Sequence, residues 1–355
     1  MVTAGDRTVR GAEDGGDAAE GDASVELEGV GQLPVEQVEI AYGEITYDGI
    51  HRETVSDVGS RQRKAGQGRG PPRAARVVGM TQHKELDLEL DLELDPVART
   101  GLLTAAQRAR ESARADPLFH DPLAAPLAGP PGAALLADFG DTPLISVRTR
   151  FFDEAIGRAM GHGGLHRLVI VAAGMDTRAY RLGLPGDVTV YELDRPEVLD
   201  HKERLLDGTA APTCRRVGVG VDLATADWGE ALADAGFRAA DGPTCWLVEG
   251  LNQYLAEPDV LALLDRISDL SAPGSRLLTD FVTAAFLAAP EARPLLRVMA
   301  EWGAPWRFGT DEPGALLAGL GWRAEVRSFA EVGEELGRLL PGGREMSGWA
   351  VEATR

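Results

Sequence analysis

The residues best suited by type and spacing to do chemistry lie in RLVIVAAGMDTRAYRLGLPGDVTVYELD, residues 167–194. An apolar stretch, Leu168 to Ala173, breaks at Gly174 and passes into the polar turn Met175-Asp176-Thr177-Arg178. A second apolar stretch, Val188 to Leu193, ends on Asp194. A glycine at a strand end lets a ligand approach the backbone closely. An acid at the next strand end, twenty residues on, can accept hydrogen bonds from a ribose diol. The run therefore suits a nucleoside-bearing cofactor at the carboxyl edge of a parallel sheet.

A dinucleotide would call for G-x-G-x-x-G after the first strand, so that backbone amides embrace a pyrophosphate. VAAGMDTRAYR has a single glycine, which disfavours a nicotinamide oxidoreductase. A cofactor with one nucleoside and an amino-acid tail needs one open backbone site plus groups for an ammonium and a carboxylate, which points toward S-adenosylmethionine.

The elements that must position these residues alternate. Strands are expected at 167–173, 188–193, 215–221, 244–248, 275–282, 322–328 and 348–353, with helices at 196–206, 228–235, 258–270 and 313–319. Such alternation means a parallel α/β sheet with right-handed crossovers. Upstream, Thr104 is expected to N-cap the helical TAAQRARESARA, the Pro-punctuated DPLFHDPLAAPLAGPPG to form short helices and turns, and Leu144 to Met160 to form a helix leading into the first strand. The stretch 284–310 exceeds a usual connection and reads as a helical lid over the strand ends.

The chain has 355 residues and a formal net charge of −20. That balance argues against a nucleic-acid or membrane-surface binder, since phosphate would be repelled. Residues 1–95 hold 20 acids and 10 bases, half of the net charge. They read as a disordered acidic extension and linker, with a short hairpin at 35–47, a basic linker at 61–76 and an alternating ELDLELDLELD run at 85–95. Cys214 and Cys245 offer neither a disulfide framework nor metal-ligand spacing and fit buried thiols of a reducing cytoplasm. No run approaches the about 20 apolar residues of a membrane span, no signal-peptide core opens the chain, and no metal is implied.

The pieces VARTGLLTAAQRARES, DPLFHDPLA, VRTRFFDE, VIVAAGMDTRAYRL, VYELDRPEVLDHK, VGVDL and LVEGLNQYL together resemble the leucine carboxyl methyltransferase superfamily. The likeness is greatest to its actinobacterial branch of S-adenosylmethionine-dependent O-methyltransferases, which includes polyketide methyltransferases, and it covers about residues 96–340. It implies a Rossmann-like class I methyltransferase over 96–355: a mostly parallel seven-stranded sheet with helices on both faces, a helical N-terminal cover at 96–165 and the lid. Arg148 and Arg150 match the helix arginine that binds the methionine carboxylate, a role suited to bidentate pairing; helix-surface charge is the alternative. Gly174 matches the glycine under the cofactor. Asp176 and Arg178 touch the methionine moiety or pair with each other. Asp194 matches the acid on the ribose hydroxyls, and Asp222 and Leu223 the pair on adenine; for both acids a helix cap is the alternative. Glu192, pointing the other way on its strand, is structural.

Glu249 ends the fourth strand, which in this fold faces the transferred methyl, so it is expected near both cofactor and acceptor. Tyr254 follows at a spacing that brings its hydroxyl to the site or packs it in the core. The branch usually has two apolar residues where this chain has Asn252 and Gln253, amides that either bind a polar substrate or solvate a helix start. The implied activity is methyl transfer from S-adenosyl-L-methionine, leaving S-adenosyl-L-homocysteine, to a carboxylate or hydroxyl of a small metabolite, polyketide or peptide. An ionised carboxylate needs no base, whereas a phenol would gain from one. His120, in the Pro-rich segment, is a structural histidine or part of the cover. A non-catalytic scaffold of the same fold is the competing function.

Overall fold

The computed structural model describes residues 94–161, 164–224, 228–340 and 348–355. The acidic extension expected over 1–95, with its hairpin, its basic linker and all but the end of the alternating run, lies outside the described residues.

Three helices precede the sheet: α1 (Pro96–Ser112), α2 (Ala124–Phe139) and α3 (Pro143–Met160). The start expected at Thr104 is corrected. Asp95 caps α1, its Oδ1 accepting from Ala98 N at 2.8 Å, and Pro96 opens the first turn. A proline there forfeits no helical hydrogen bond and presets φ, so Asp-Pro outcompetes the threonine, whose hydroxyl instead bonds Gly101 O inside the helix. The Gly129-Pro130-Pro131 step kinks α2, with Gly129 at φ 55°. Thr142 caps α3, again ahead of a proline.

The sheet then alternates with helices: β1 (Arg167–Val171), α4 (Arg178–Arg181), β2 (Thr189–Asp194), α5 (Pro196–Leu206), β3 (Arg215–Gly220), α6 (Trp228–Asp234), β4 (Cys245–Val248), α7 (Glu257–Asp269), β5 (Arg276–Phe281), α8 (Ala284–Ala288), α9 (Arg293–Glu301), α10 (Pro313–Gly319), β6 (Arg323–Ser328), α11 (Phe329–Glu335) and β7 (Trp349–Thr354). The strand order is β3-β2-β1-β4-β5-β7-β6, with β7 antiparallel to both neighbours. The order reverses between β1 and β4, and the crevice beyond the carboxyl ends at such a switch point is where open α/β sheets bind ligands.

Continuous apolar runs suit strands covered on both faces. All of β4 (CWLV) is buried. Alternate residues feed two cores, Val169, Val171, Trp246 and Val248 on one face and Leu168, Ile170, Cys245 and Leu247 on the other. A third cluster joins α1 and α2 to Met175, Val198 and Leu206. It seats the N-terminal helices against the loop after β1 and against α5. Among the described residues, no helix is long and apolar enough to cross a membrane.

Candidate active site

The site is built from the carboxyl ends of β1, β2, β3 and β4. Parallel pairing carries Val171 against both Leu193 and Val248, so the turn after β1 sits between Asp194 and Glu249. The exit from β1 is left-handed twice, at Ala172 (φ 55°) and Gly174 (φ 46°). A left-handed alanine is strained, and such strain concentrates where a backbone must meet a ligand. At Gly174 the geometry requires glycine, and a Cβ built there would meet nothing within 4 Å. The backbone at this position is open to approach.

Asp194 lies against that glycine. Its Oδ2 accepts from Gly174 N at 2.7 Å and its Oδ1 from Arg195 N at 2.8 Å. It does not cap α5, whose cap position is Arg195 without a side-chain bond. Burial pushes the Asp194 carboxyl above its ordinary value, against the two amides that pull it down. Asp222 stands two residues beyond Gly220, the partner of Asp194 across β2 and β3. It is exposed, and its Oδ1 accepts from Ala224 N at 2.9 Å. Leu223 packs its side chain partly against the core. Gly174, Asp194 and Asp222 thus form one open edge.

The other half is a buried ionic network. Arg148 of α3 donates from Nε to Glu249 Oε1 at 2.9 Å and from Nη1 to Asp280 Oδ2 at 3.1 Å. Arg178 pairs with Glu249 Oε2 at 2.7 Å, with Asp153 Oδ1 at 2.8 Å, and with Asp176. Arg181 grips both oxygens of Asp153, at 2.6 and 3.0 Å, and donates to Thr177. The Thr177 hydroxyl donates to Asp121 Oδ2 at 2.7 Å, and Asp121 also accepts from Arg108 Nε at 2.9 Å. Arg108 completes the circuit at Met175 O, 2.6 Å away. The cover helix α1 is thereby bonded directly to the turn after β1.

The consequences for protonation differ along this network. Burial would raise the Glu249 carboxyl, but Arg178 and then Arg148 outweigh it and hold it below its ordinary value. Burial likewise opposes ionisation of Asp176, yet Arg178 and its other donors bring it down to about 2. Asp280 goes the other way: burial raises it, and Arg148 with the Gly250 amide only partly compensates.

The residues expected from sequence therefore separate. Arg148, Asp176, Arg178 and Glu249 converge, with Asp176 and Arg178 paired to each other. Arg150 does not join them. It points away, pairing with Glu154 at 2.7 Å and with Leu118 O at 2.7 Å, because residues two apart on a helix do not share a face. Tyr254 follows in a short 3-10 turn, ring to ring with Trp306. Asn252 is buried; its Nδ2 donates to Thr279 Oγ1 (2.9 Å) and Asp280 O (2.8 Å) of β5, and its Oδ1 has no partner among the described residues. Gln253 folds back onto Gly250 O. Glu192 is a buried partner of Lys202 and Arg216, each at 2.7 Å. His120 is exposed, and burial pushes the Cys245 thiol up to about 12.

Sequence reasoning missed Asp280, Gly250, Asp153, Asp121 and Arg108. Asp280 had a signal, an acid inside the apolar RLLTDF strand. Gly250 (φ 68°) lies under Arg148, and a Cβ there would sit 3.0 Å from Nη1. The missing side chain is what lets the guanidinium lie flat on the backbone between Glu249 and Asp280.

Comparison with known proteins agrees with this geometry. The fold is that of a Rossmann-like methyltransferase: a crystal structure of a "putative methyltransferase" from Thermobifida fusca YX superposes with a TM-score of 0.51 at 18% identity, covering 75% of this chain and 97% of that one. The leucine carboxyl methyltransferase family model matches residues 101–268. A "putative S-adenosyl-L-methionine-dependent methyltransferase" of Parafrankia sp. (strain EAN1pec) is 39% identical over 275 residues, 73% of this chain and 87% of the relative. One from Mycolicibacterium smegmatis is 40% identical over 269 residues, 69% and 89%. The chain belongs to the leucine carboxyl methyltransferase family and, within it, to the actinobacterial S-adenosyl-L-methionine-dependent methyltransferases.

Proposed function

We propose that the protein is an O-methyltransferase whose acceptor is a carboxylate of a small metabolite or peptide. The observation that supports a carboxylate over a hydroxyl is the state of Glu249. Both of its oxygens are held by guanidiniums and its pKa is lowered, so it is a weak base for a phenol of pKa about 10. A carboxylate acceptor is already ionised and gives up no proton.

The residues present fit S-adenosyl-L-methionine. Gly174 offers open backbone and Asp194 a fixed carboxylate suited to ribose hydroxyls. Asp222 and Leu223 pair an exposed acid with an apolar side chain, which suits an adenine amine and ring. Nη2 of Arg148 makes no hydrogen bond among the described residues and is the donor left for the methionine carboxylate. When bound, S-adenosyl-L-methionine would supply a methyl group on a sulfonium, activated for in-line displacement by an oxygen. The chain's own contribution is to orient and to exclude water. Asp194, pinned by two amides, sets the nucleoside end. Arg148, clamped by Glu249 and Asp280, sets the amino-acid end. Glu249 acts by holding Arg148 and Arg178 in place rather than by moving a proton.

The test is incubation of cell extract with the enzyme and methyl-labelled S-adenosyl-L-methionine. Label that alkaline hydrolysis releases as methanol is expected, because esters hydrolyse and ethers and methylamines do not. Base-stable label would overturn the carboxylate.

A further inference from the structure

The segment 284–310 packs beside the turn after β4, with two of its aromatic side chains, Phe286 and Trp306, grouped around Tyr254. Trp306 stands edge to face with Tyr254 (centroids 6.5 Å apart, 86° between planes) and tilted against Phe286 (5.9 Å, 40°). All three rings are only half-buried. Tyr254 lies five residues past Glu249, and Phe286 five past the end of β5, so the cluster stands on the carboxyl-end side of the sheet. It is fastened there by Arg307 N and Phe308 N, which both bond Gln253 O.

One polar group in this cluster has no hydrogen-bond partner among the described residues, the buried indole Nε1 of Trp306. Leaving a buried donor unsatisfied costs about 1–3 kcal/mol. Trp246 also has an unpartnered Nε1, but it is enclosed in the core between Trp228 and Phe237. Trp306 instead stands with the half-buried rings of Tyr254 and Phe286 on the carboxyl-end side of the sheet, where a ligand can supply the missing acceptor. Flat rings offering faces, with one donor set among them, select a flat conjugated ligand that carries an oxygen anion.

We propose that Tyr254, Phe286 and Trp306 form the acceptor-binding wall, that the acceptor is a planar conjugated carboxylic acid, and that Trp306 Nε1 donates to its carboxylate. This deepens the carboxylate reading and rests on it. The test titrates protein saturated with S-adenosyl-L-homocysteine against 2-naphthoate and against decanoate, a flexible acid of comparable apolar size, by calorimetry. Naphthoate is expected to bind at least about tenfold more tightly. Trp306→Phe keeps ring area and removes the donor, and should weaken both acids about tenfold. Trp306→Leu should abolish the preference. Homocysteine-product affinity equal to that of the parent shows that each variant is folded. Equal affinity for the two acids, no naphthoate binding at millimolar concentration, or a Trp306→Phe variant like the parent overturns the proposal. Naphthoate that binds but is never esterified would instead break the carboxylate-methylation reading and leave the pocket standing.

Discussion

The two halves of the crevice treat their carboxylates in opposite ways. On the side of α3 and the ends of β1, β4 and β5, Asp153, Asp176, Glu249 and Asp280 each face a guanidinium. Beside β2 and β3, Asp194 and Asp222 take their hydrogen bonds, among the described residues, only from backbone amides. A carboxylate bonded to a buried guanidinium is committed, because separating them leaves an uncompensated charge. A carboxylate bonded to amides keeps lone pairs to offer. The first half is a scaffold, and the second is where hydroxyls and an amine can be received.

The comparison breaks most visibly at Arg178. Removing it by Arg178→Ala takes the paired guanidinium from Asp176 and one of two from Asp153 and Glu249, which keep Arg181 and Arg148, and is expected to cost about 3–5 kcal/mol of unfolding free energy in urea titration; a loss under about 1 kcal/mol would show that the network is dispensable. Next comes pH. The Asp176 carboxyl lies at about 2 against an ordinary 3.8, a depressed value, so its contribution is complete above the unfolded pKa and is lost as pH falls through about 2. Asp176→Asn should remove about 2 kcal/mol at neutral pH and flatten the acid limb of the stability curve; an unchanged acid midpoint speaks against the pairing. On the open half, Asp222→Ala should weaken S-adenosyl-L-homocysteine binding about fivefold, roughly 1 kcal/mol, while stability barely moves. Arg150→Ala sharpens the contrast from outside both halves: an exposed pair with Glu154 is worth at most about 0.5 kcal/mol, and cofactor affinity should stay as it was.

The frame was legible in the sequence because apolar runs mark buried strands directly: helices 196–206 and 313–319 match α5 and α10 end for end. The open half was legible for a related reason. Gly174 and Asp194 close two of those runs, and position at a strand end carries their role. The ionic half was less so. Its bonds join residues such as Arg148 and Asp280, or Arg108 and Met175, that are distant along the chain, and pairing of that kind leaves no local pattern. Arg150 was grouped with Arg148 by residue type, and helix geometry separates them. Asn252 reads as a substrate group by position, and the two bonds of its amide nitrogen to β5 are not visible in the sequence. Polar residues just past a strand end read alike whether they serve the fold or the ligand.

The central claim is that Asp194 serves the cofactor and not the scaffold. Calorimetric titration of Asp194→Ala with S-adenosyl-L-homocysteine, beside urea unfolding of the same preparation, tests it most directly. Affinity is expected to fall about 10- to 100-fold, with an unfolding free energy far closer to the parent than that of Arg178→Ala. An unchanged affinity, or a stability loss equal to that of Arg178→Ala, would contradict it.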